Sequence, residues 1–199
     1  MDNLAQIFET IYRTNAWGDG STRSGQGSND RETSPIRAWF PKLVERYQIK
    51  SVYDAGCGEC TWFPQITFKG PLAYTGAEIV PAVVQANRER YPHLAFVSAD
   101  VTETAPPPSD LIICRDVFVH LPIACIRQAL ARFKASGSAY LLATTMPGTG
   151  CSETVLAPGA WRILDMATFA GQPVELHPDS IQWPYKMCGL WHISSIKLN

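Results

Sequence analysis

The stretch that decides the fold is Val52-Tyr53-Asp54-Ala55-Gly56-Cys57-Gly58-Glu59. A short apolar run ends in an acidic residue and passes directly into a turn that contains two glycines. Glycine lets the backbone bend tightly and approach a ligand closely. Because open α/β sheets bind ligands where their strands end, this turn predicts a binding site at the carboxyl end of a first strand. We expect the next helix to begin at Thr61-Trp62-Phe63.

Two further acidic residues follow, each at the end of a predicted strand. Glu78 comes 20 residues after Gly58, and an acid there can accept hydrogen bonds from both ribose hydroxyls of an adenosine ligand. Asp100 can accept from an adenine amino group, or it can cap the turn at Val101-Thr102. With Asp54, these acids describe a nucleoside pocket. A dinucleotide site stays open as the alternative, although it would favour a third glycine and fewer acids.

Outward from this stretch, short apolar runs alternate with helical patterns, which predicts parallel strands joined by helices. Helical spacing also predicts a helix from Leu4 to Tyr12 and another that begins at Ser34-Pro35, with a kink or a break at Pro41. The predicted strands are Ser51–Ala55, Ala73–Glu78, Ala95–Ala99, Leu111–Cys114 and Ala139–Thr145, with helices at Pro81–Tyr91 and Pro122–Lys134 and closing strands at Pro173–Leu176 and Leu190–Ile196.

The ordered set resembles the class I S-adenosylmethionine (SAM) dependent methyltransferases from about Ser51 to Thr145. The glycine turn resembles their motif I, Glu78 their motif II acid and Asp100 their motif III acid. The resemblance implies a Rossmann-like, doubly wound, mostly parallel seven-stranded α/β sheet with helices on both faces, and SAM as the cofactor. The candidate cofactor-binding residues are Asp54, Gly56, Cys57, Gly58, Glu78, Ile79, Asp100, Val101, Arg115 and Arg23.

The segment from Asp110 to Leu121 resembles the one that follows strand four in small-molecule members of this family. If the acceptor is a hydroxyl that must lose a proton, Asp116 and His120 are the candidate catalytic bases, since the histidine pKa lies near working pH. The alternatives are that Asp116 caps a helix and that His120 supports the helix start. A thiol, a deprotonated carboxylate or a neutral amine acceptor would need no protein base.

Residues 1–50 are predicted to form a helical cap with a lid loop over an α/β core at 51–199, all within one domain. The stretch 18–34 holds four glycines, four serines and no large apolar residue. It is either a mobile lid, with Arg23 reaching the SAM carboxylate, or a linker. We expect residues 15–34 and 146–162 to close the acceptor pocket, with Trp17, Trp161 and Trp183 as pocket walls.

The six cysteines form no obvious disulfide framework, so a cytoplasmic protein with reduced thiols is the default expectation. Cys57 and Cys60 have the spacing of a zinc or redox pair, but a structural zinc site needs two more ligands. We interpret them as small residues of a tight turn and predict no metal.

The net charge of −1 disfavours a broad nucleic-acid surface, and no apolar run reaches the length of a membrane span. The sequence therefore predicts a methyltransferase that acts on a small molecule. Two alternatives stay open: a SAM-binding protein without methyl transfer, and a nucleic-acid methyltransferase that works with a partner. The oligomeric state and the acceptor are not encoded in any pattern that we recognise.

Overall fold

The computed structural model describes residues 3–151 and 157–198. Their strands form one sheet of seven, in the order β3-β2-β1-β4-β5-β7-β6. The strands are β1 Ser51–Ala55, β2 Ala73–Glu78, β3 Ala95–Ser98, β4 Leu111–Cys114, β5 Tyr140–Thr145, β6 Glu175–Pro178 and β7 Met187–His192.

Neighbouring strands from β3 to β5 pair in parallel, while β7 runs antiparallel to both β5 and β6. The chain starts at β1 in the middle of the sheet, winds outward to β3, and then returns to β4 on the other side. The strand order therefore reverses between β1 and β4, which is where open α/β sheets form a ligand cleft. This topology confirms the predicted Rossmann-like fold.

Helices cover both faces of the sheet because strand side chains alternate between them. Val52, Leu111 and Ile113 pack on one face with α2, and Tyr53 and Ile112 pack on the other with α4. The helices are α1 Leu4–Thr14, α2 Ser34–Arg46, α3 Pro81–Arg90, α4 Ile123–Ala135 and α5 Ala167–Ala170.

The first five predicted strands and the helices now called α3 and α4 agree with the structure to within one residue at each end. α2 runs through Pro41 as a single helix, so the predicted break into two helices is wrong. The lost backbone hydrogen bond is tolerated because Ile36 and Phe40 before the proline and Leu43 after it are all buried against the sheet.

The helix expected at Thr61 is absent, and this prediction is wrong. The structure has only a 3₁₀ turn at Phe63–Gln65 before β2 begins. Aromatic and β-branched residues have low helix propensity, and here tertiary packing fixes the rings in a non-helical path. The Phe63 ring lies 4.0 Å from that of Tyr74, and the Trp62 ring lies 5.6 Å from that of Phe40.

The two closing strands are displaced from their predicted positions. β6 begins two residues later than expected, and β7 begins at Met187 and ends at His192 rather than continuing to Ile196. Gly189 made the start of β7 hard to recognise, yet its missing side chain makes room for the ring of Trp191. None of the helices in the described ranges is both long and apolar enough to cross a bilayer.

Candidate active site

A cleft lies along the carboxyl ends of β1, β2, β3 and β4, and we call it the strand-end cleft. α1 and the loop at 18–34, which we call the cap loop, form its opposite wall. Every predicted cofactor-binding or catalytic residue lines this cleft: Asp54, Gly56, Cys57, Gly58, Glu78, Ile79, Asp100, Val101, Arg115, Arg23, Asp116 and His120. Their roles toward a ligand remain predictions.

The glycine turn needs its glycines because neighbouring atoms approach the backbone closely. Gly56 has φ +83°, and a Cβ there would stand 2.4 Å from a methyl carbon of Val117. Gly58 has φ +53°, and a Cβ there would stand 2.6 Å from the hydroxyl of Ser24 in the cap loop. A larger residue at Gly56 would therefore displace Val117 after β4, and one at Gly58 would push Ser24 and its loop away from the end of β1.

Glu78 holds the glycine turn as well as facing the cleft. Its carboxylate accepts hydrogen bonds from the backbone N–H groups of Gly58 at 3.0 Å, Ile79 at 2.8 Å and Val80 at 3.1 Å. Burial raises the pKa of this carboxyl, and the three N–H donors oppose that shift. A carboxylate offers about four acceptor positions, so these donors occupy much of it, and its contact with the ribose hydroxyls remains a prediction.

Asp54 is buried at the end of β1, where it accepts a hydrogen bond of 2.8 Å from the hydroxyl of Tyr74. Burial raises the pKa of Asp54 to about 7. The thiol of Cys60 lies 3.3 Å from the same Tyr74 hydroxyl, and burial raises its pKa to about 12. Burial also raises the pKa of Cys57 well above its ordinary value. Both thiols are thus protonated near pH 7 in the ligand-free protein.

Asp100 caps the turn that follows β3. One carboxylate oxygen accepts from the backbone N–H of Thr102 at 2.8 Å and from its hydroxyl at 2.7 Å. The structure therefore contains the turn cap that was the alternative reading of this residue. The carboxylate is held at the cleft wall by that cap, and its contact with adenine remains a prediction.

Four charged side chains form a buried cluster behind the cleft. Arg115 Nε donates to Asp179 at 2.6 Å, and Lys186 Nζ donates to Asp116 at 2.6 Å and to Asp179 at 3.2 Å. Arg115 also donates to the Gly27 carbonyl at 2.7 Å, which ties the cap loop to β4. These bonds engage the Arg115 guanidinium within the protein, and its contact with a cofactor remains a prediction. Sequence reasoning missed Asp179 and Lys186, which no local motif marks.

Asp116 sits in the left-handed conformation, with φ 56°, and its N–H donates to the hydroxyl of Thr144 at 2.8 Å. Its side chain does not cap the 3₁₀ turn that follows, so the capping alternative is wrong. Burial opposes ionisation, but Lys186 and Arg115 outweigh it and hold the pKa of Asp116 well below its ordinary range. Asp116 is consequently a weak base.

His120 lies in the 3₁₀ turn after β4. Its Nδ1 is 3.2 Å from the carbonyl oxygen of Ala160, which can only accept, so we assign the proton to Nδ1 and the lone pair to Nε2. The imidazole stacks on Trp17 with 4.3 Å between ring centroids and 26° between planes. Burial lowers the pKa of His120, so the ring is neutral near pH 7.

A second cavity of about 620 Å³ adjoins the cleft, and we call it the aromatic cavity. Residues from the cap loop, from the chain after β5 and from the β6–β7 connection line it. Trp161, Trp183 and Tyr185 form much of its wall. The side chains shared by the two cavities are Trp17, Ser24, Asp116 and His120.

The cap loop is fixed to the glycine turn by contacts within the protein, which its sequence did not suggest. Glu59 accepts hydrogen bonds from the Thr22 hydroxyl at 2.5 Å and the Arg23 backbone N–H at 2.7 Å. The Arg23 guanidinium donates to the Tyr12 carbonyl at 3.1 Å and lies over the Tyr12 ring. Arg23 thus joins the loop to the end of α1.

Residues 52–136 match the family model described as a methyltransferase domain. No curated protein matches the chain. The matched segment contains the glycine turn, Glu78, Asp100, Asp116 and His120.

Several solved structures share the fold. Magnesium protoporphyrin IX methyltransferase from Synechocystis PCC 6803, with bound SAM, has a TM-score of 0.60 at 14% identity, covering 96% of this chain and 97% of that chain. The PH0226 protein from Pyrococcus horikoshii OT3 has a TM-score of 0.59 at 11% identity, covering 90% and 98%. PigF, solved with S-adenosylhomocysteine (SAH), has a TM-score of 0.60 at 14% identity, covering 80% and 55%. At these identities the likeness shows the fold alone, and the family model covers most of the segment from which the resemblance was drawn.

Proposed function

We propose that this chain, a class I SAM-dependent methyltransferase, transfers a methyl group to a small molecule held in the aromatic cavity. The observation that carries the proposal is that the aromatic cavity and the strand-end cleft share Trp17, Asp116 and His120. A donor in one cavity and an acceptor in the other would meet at these residues. We also propose that the enzyme acts in the cytoplasm.

The charge of the strand-end cleft fits SAM better than a dinucleotide. Five acidic side chains line it against two arginines, and both arginines are engaged with the protein itself. A pyrophosphate would be repelled by this lining, whereas the hydroxyls and positive charges of SAM suit it. When bound, SAM supplies a methyl group on a positively charged sulfur, which leaves as the neutral thioether of SAH.

The cap has to move for the cofactor to enter. The cleft measures about 130 Å³ in this conformation, below the roughly 300–1,000 Å³ typical of ligand pockets. α1 has no fully buried residue, and its apolar side chains Leu4, Phe8 and Ile11 line the cleft. A small outward shift of α1 and residues 18–34 would admit the ligand, and their return would exclude water from the site of transfer.

His120 is the proposed general base for a hydroxyl acceptor. Its Nε2 lone pair takes the hydroxyl proton while the acceptor oxygen forms its bond to the methyl carbon and the bond from that carbon to sulfur breaks. The proton then leaves the imidazolium for solvent. The Ala160 carbonyl and the stacked Trp17 ring orient the imidazole. Asp116 stabilises the imidazolium by its charge but, as a weak base, does not take the proton.

Calorimetric titration with SAM, SAH and NAD tests the proposal. We expect both adenosyl ligands to bind more tightly than NAD. Glu78→Ala removes a buried acceptor of three N–H groups, so SAH binding should weaken about 10- to 150-fold, or roughly 1.5–3 kcal/mol. Glu103→Ala, an exposed acid outside the cleft, is the matched control. Tighter binding of NAD than of SAH would overturn the proposal.

A further inference from the structure

We infer that the aromatic cavity binds a neutral, flat aromatic molecule that carries a hydroxyl group. This inference rests on the proposed function, because it takes the cavity as the acceptor site and specifies the chemical class of the acceptor. The rim of the cavity, its charge and its polar lining each restrict the ligand.

The rim holds the most exposed aromatic side chains of the protein. Trp161 is 51% exposed and Tyr185 is 46% exposed, and every other Phe, Trp and Tyr side chain in the described ranges is more buried. Both line this one cavity, where Trp183 adds a third, half-buried ring. Large aromatic side chains left in water cost free energy, and a cluster of them around a cavity marks a ligand site.

The inner end of the cavity is also aromatic. Trp17 lies there with its indole N–H bonded to the Gly159 carbonyl at 3.0 Å, so its orientation is fixed. One face of Trp17 stacks on the imidazole of His120. A flat ring that entered between Trp161 and Tyr185 would meet aromatic side chains up to Trp17 and the proposed base, which favours ring stacking over binding of a flexible chain.

The charges of the cavity are already paired. Among its described lining residues, Asp116 and Lys186 carry formal charges, and they form an ion pair of 2.6 Å with each other. Their other charged neighbours, Arg115 and Asp179, are paired in turn. A charged ligand would lose its hydration without gaining an unpaired counter-charge, so the cavity favours a neutral one.

Among the described lining residues, neutral side chains that can accept a hydrogen bond are too few for a carbohydrate. Ser24 already accepts from the Glu59 backbone N–H at 3.0 Å, so Gln26, His120 and the Tyr185 hydroxyl are the main acceptors, while the indole N–H groups of Trp161 and Trp183 can only donate. A sugar would bury several hydroxyls without partners, which is costly. A single hydroxyl directed at His120 Nε2 satisfies both groups.

The low basicity of His120 and Asp116 also favours an aromatic acceptor with a hydroxyl group. The pKa of His120 is lowered by burial and that of Asp116 by its two cations, so both are weak bases. A weak base suits an acceptor that ionises readily. A phenolic hydroxyl, with an ordinary pKa near 10, meets that requirement better than an aliphatic alcohol.

The test compares four probes by calorimetry, each titrated with and without saturating SAH: 2-naphthol, decahydro-2-naphthol, 2-naphthoate and methyl glucoside. The first two have the same carbon skeleton and hydroxyl, but only 2-naphthol is flat and aromatic. We expect 2-naphthol to bind at least tenfold more tightly than each of the others. Trp161→Ala and Tyr185→Ala should each weaken its binding at least fivefold and leave SAH binding within twofold. Ile163→Ala, a nearby substitution of an exposed side chain outside the cavity, should change neither.

The inference is overturned if 2-naphthol and decahydro-2-naphthol bind equally, or if 2-naphthoate or methyl glucoside binds more tightly than 2-naphthol. In either case the proposed function still stands, provided that SAH binds. If SAH fails to bind, the proposed function falls, and the ranking of the four probes on the same protein still decides the inference. The rim substitutions remove exposed side chains, so a folded variant that binds 2-naphthol like the wild type also overturns it.

Discussion

The strand-end cleft and the aromatic cavity meet at four side chains, yet they are built from different kinds of structure. The sheet side of the cleft consists of the turns that follow β1 to β4. These turns are held in place because each of the four strands is hydrogen-bonded to its neighbours in the sheet. The cavity is assembled from the cap loop, the chain after β5 and the β6–β7 connection, none of which is a strand or an α-helix.

This difference separates two tasks. The cleft takes its shape from strand spacing and local turns, so the positions of Asp54, Glu78 and Asp100 along it follow from the fold. The cavity takes its shape from loops that are free to vary without disturbing the sheet. Under the proposed function, donor recognition would depend mainly on the fold, and acceptor recognition on loops particular to this chain.

The largest expected effect lies at the boundary between the two regions. His120→Gln removes the proposed base, so we expect the turnover number for SAH formation with 2-naphthol to fall by about 10²- to 10⁴-fold. The affinity for SAH should change less than threefold. The remaining activity should rise with pH as the naphthol ionises without help, whereas the wild-type rate should decline only below the lowered pKa of His120.

His93→Gln, an exposed histidine outside both cavities, serves as the control. If His120→Gln keeps more than a tenth of the wild-type turnover, the enzyme needs no base. The boundary would then be a passive contact between two pockets, and a thiol or neutral amine acceptor would replace the hydroxyl.

The next effect concerns stability rather than turnover, and it belongs to the cleft. Asp54 has a pKa raised from 3.8 to about 7 by burial. Between these values the folded protein holds a proton that the unfolded chain has released, so the free energy of unfolding falls as pH rises from about 4 to about 7. Asp54→Asn keeps an acceptor for Tyr74 and cannot ionise. It should therefore be more stable than wild type at pH 8, by up to about 4 kcal/mol.

Urea unfolding of the ligand-free protein at pH 5, 6, 7 and 8 measures this difference, which should shrink toward acid pH. Glu103→Gln, with an exposed carboxyl, should follow the wild-type curve. Parallel curves for Asp54→Asn and wild type would show that Asp54 is not tuned by burial. By comparison, Trp161→Ala on the cavity rim should alter stability little at any of these pH values, because its side chain is half exposed.

The same contrast explains how much could be predicted from the sequence. The glycine turn, Glu78 and Asp100 each follow a predicted strand. They could be grouped from the sequence because the carboxyl ends of parallel strands lie along one edge of the sheet. The fold inferred from that spacing is confirmed, and the family model of a methyltransferase domain matches residues 52–136, which contain these three features. The grouping of Trp17, Trp161 and Trp183 around a cavity also agrees with their occurrence outside periodic elements.

What the sequence could not show depends on long-range contacts. Asp116 meets Lys186 from 70 positions away, and Arg115 meets Asp179 from 64 positions away, without a motif at either end. The missing helix after the glycine turn has the same cause, because Trp62 and Phe63 take the path that their aromatic partners impose rather than the one expected after a strand. Such contacts emerge only when the sheet is assembled.

The smallest expected effect concerns the cap, which forms the wall of the strand-end cleft opposite the strand ends. Arg23 joins the loop to α1 through the Tyr12 carbonyl, so Arg23→Ala should weaken SAH binding about two- to fivefold and leave the melting temperature of the ligand-free protein nearly unchanged. Arg31→Ala, an exposed arginine of the same loop, is the control.

Hydrogen exchange across residues 18–34 should slow when SAH binds, because the cap closes on the filled cleft, and it should slow less in the Arg23 variant. Exchange at 18–34 that is the same with and without SAH, and also with 2-naphthol added, would mean that the loop is a linker whose contacts with Glu59 are permanent.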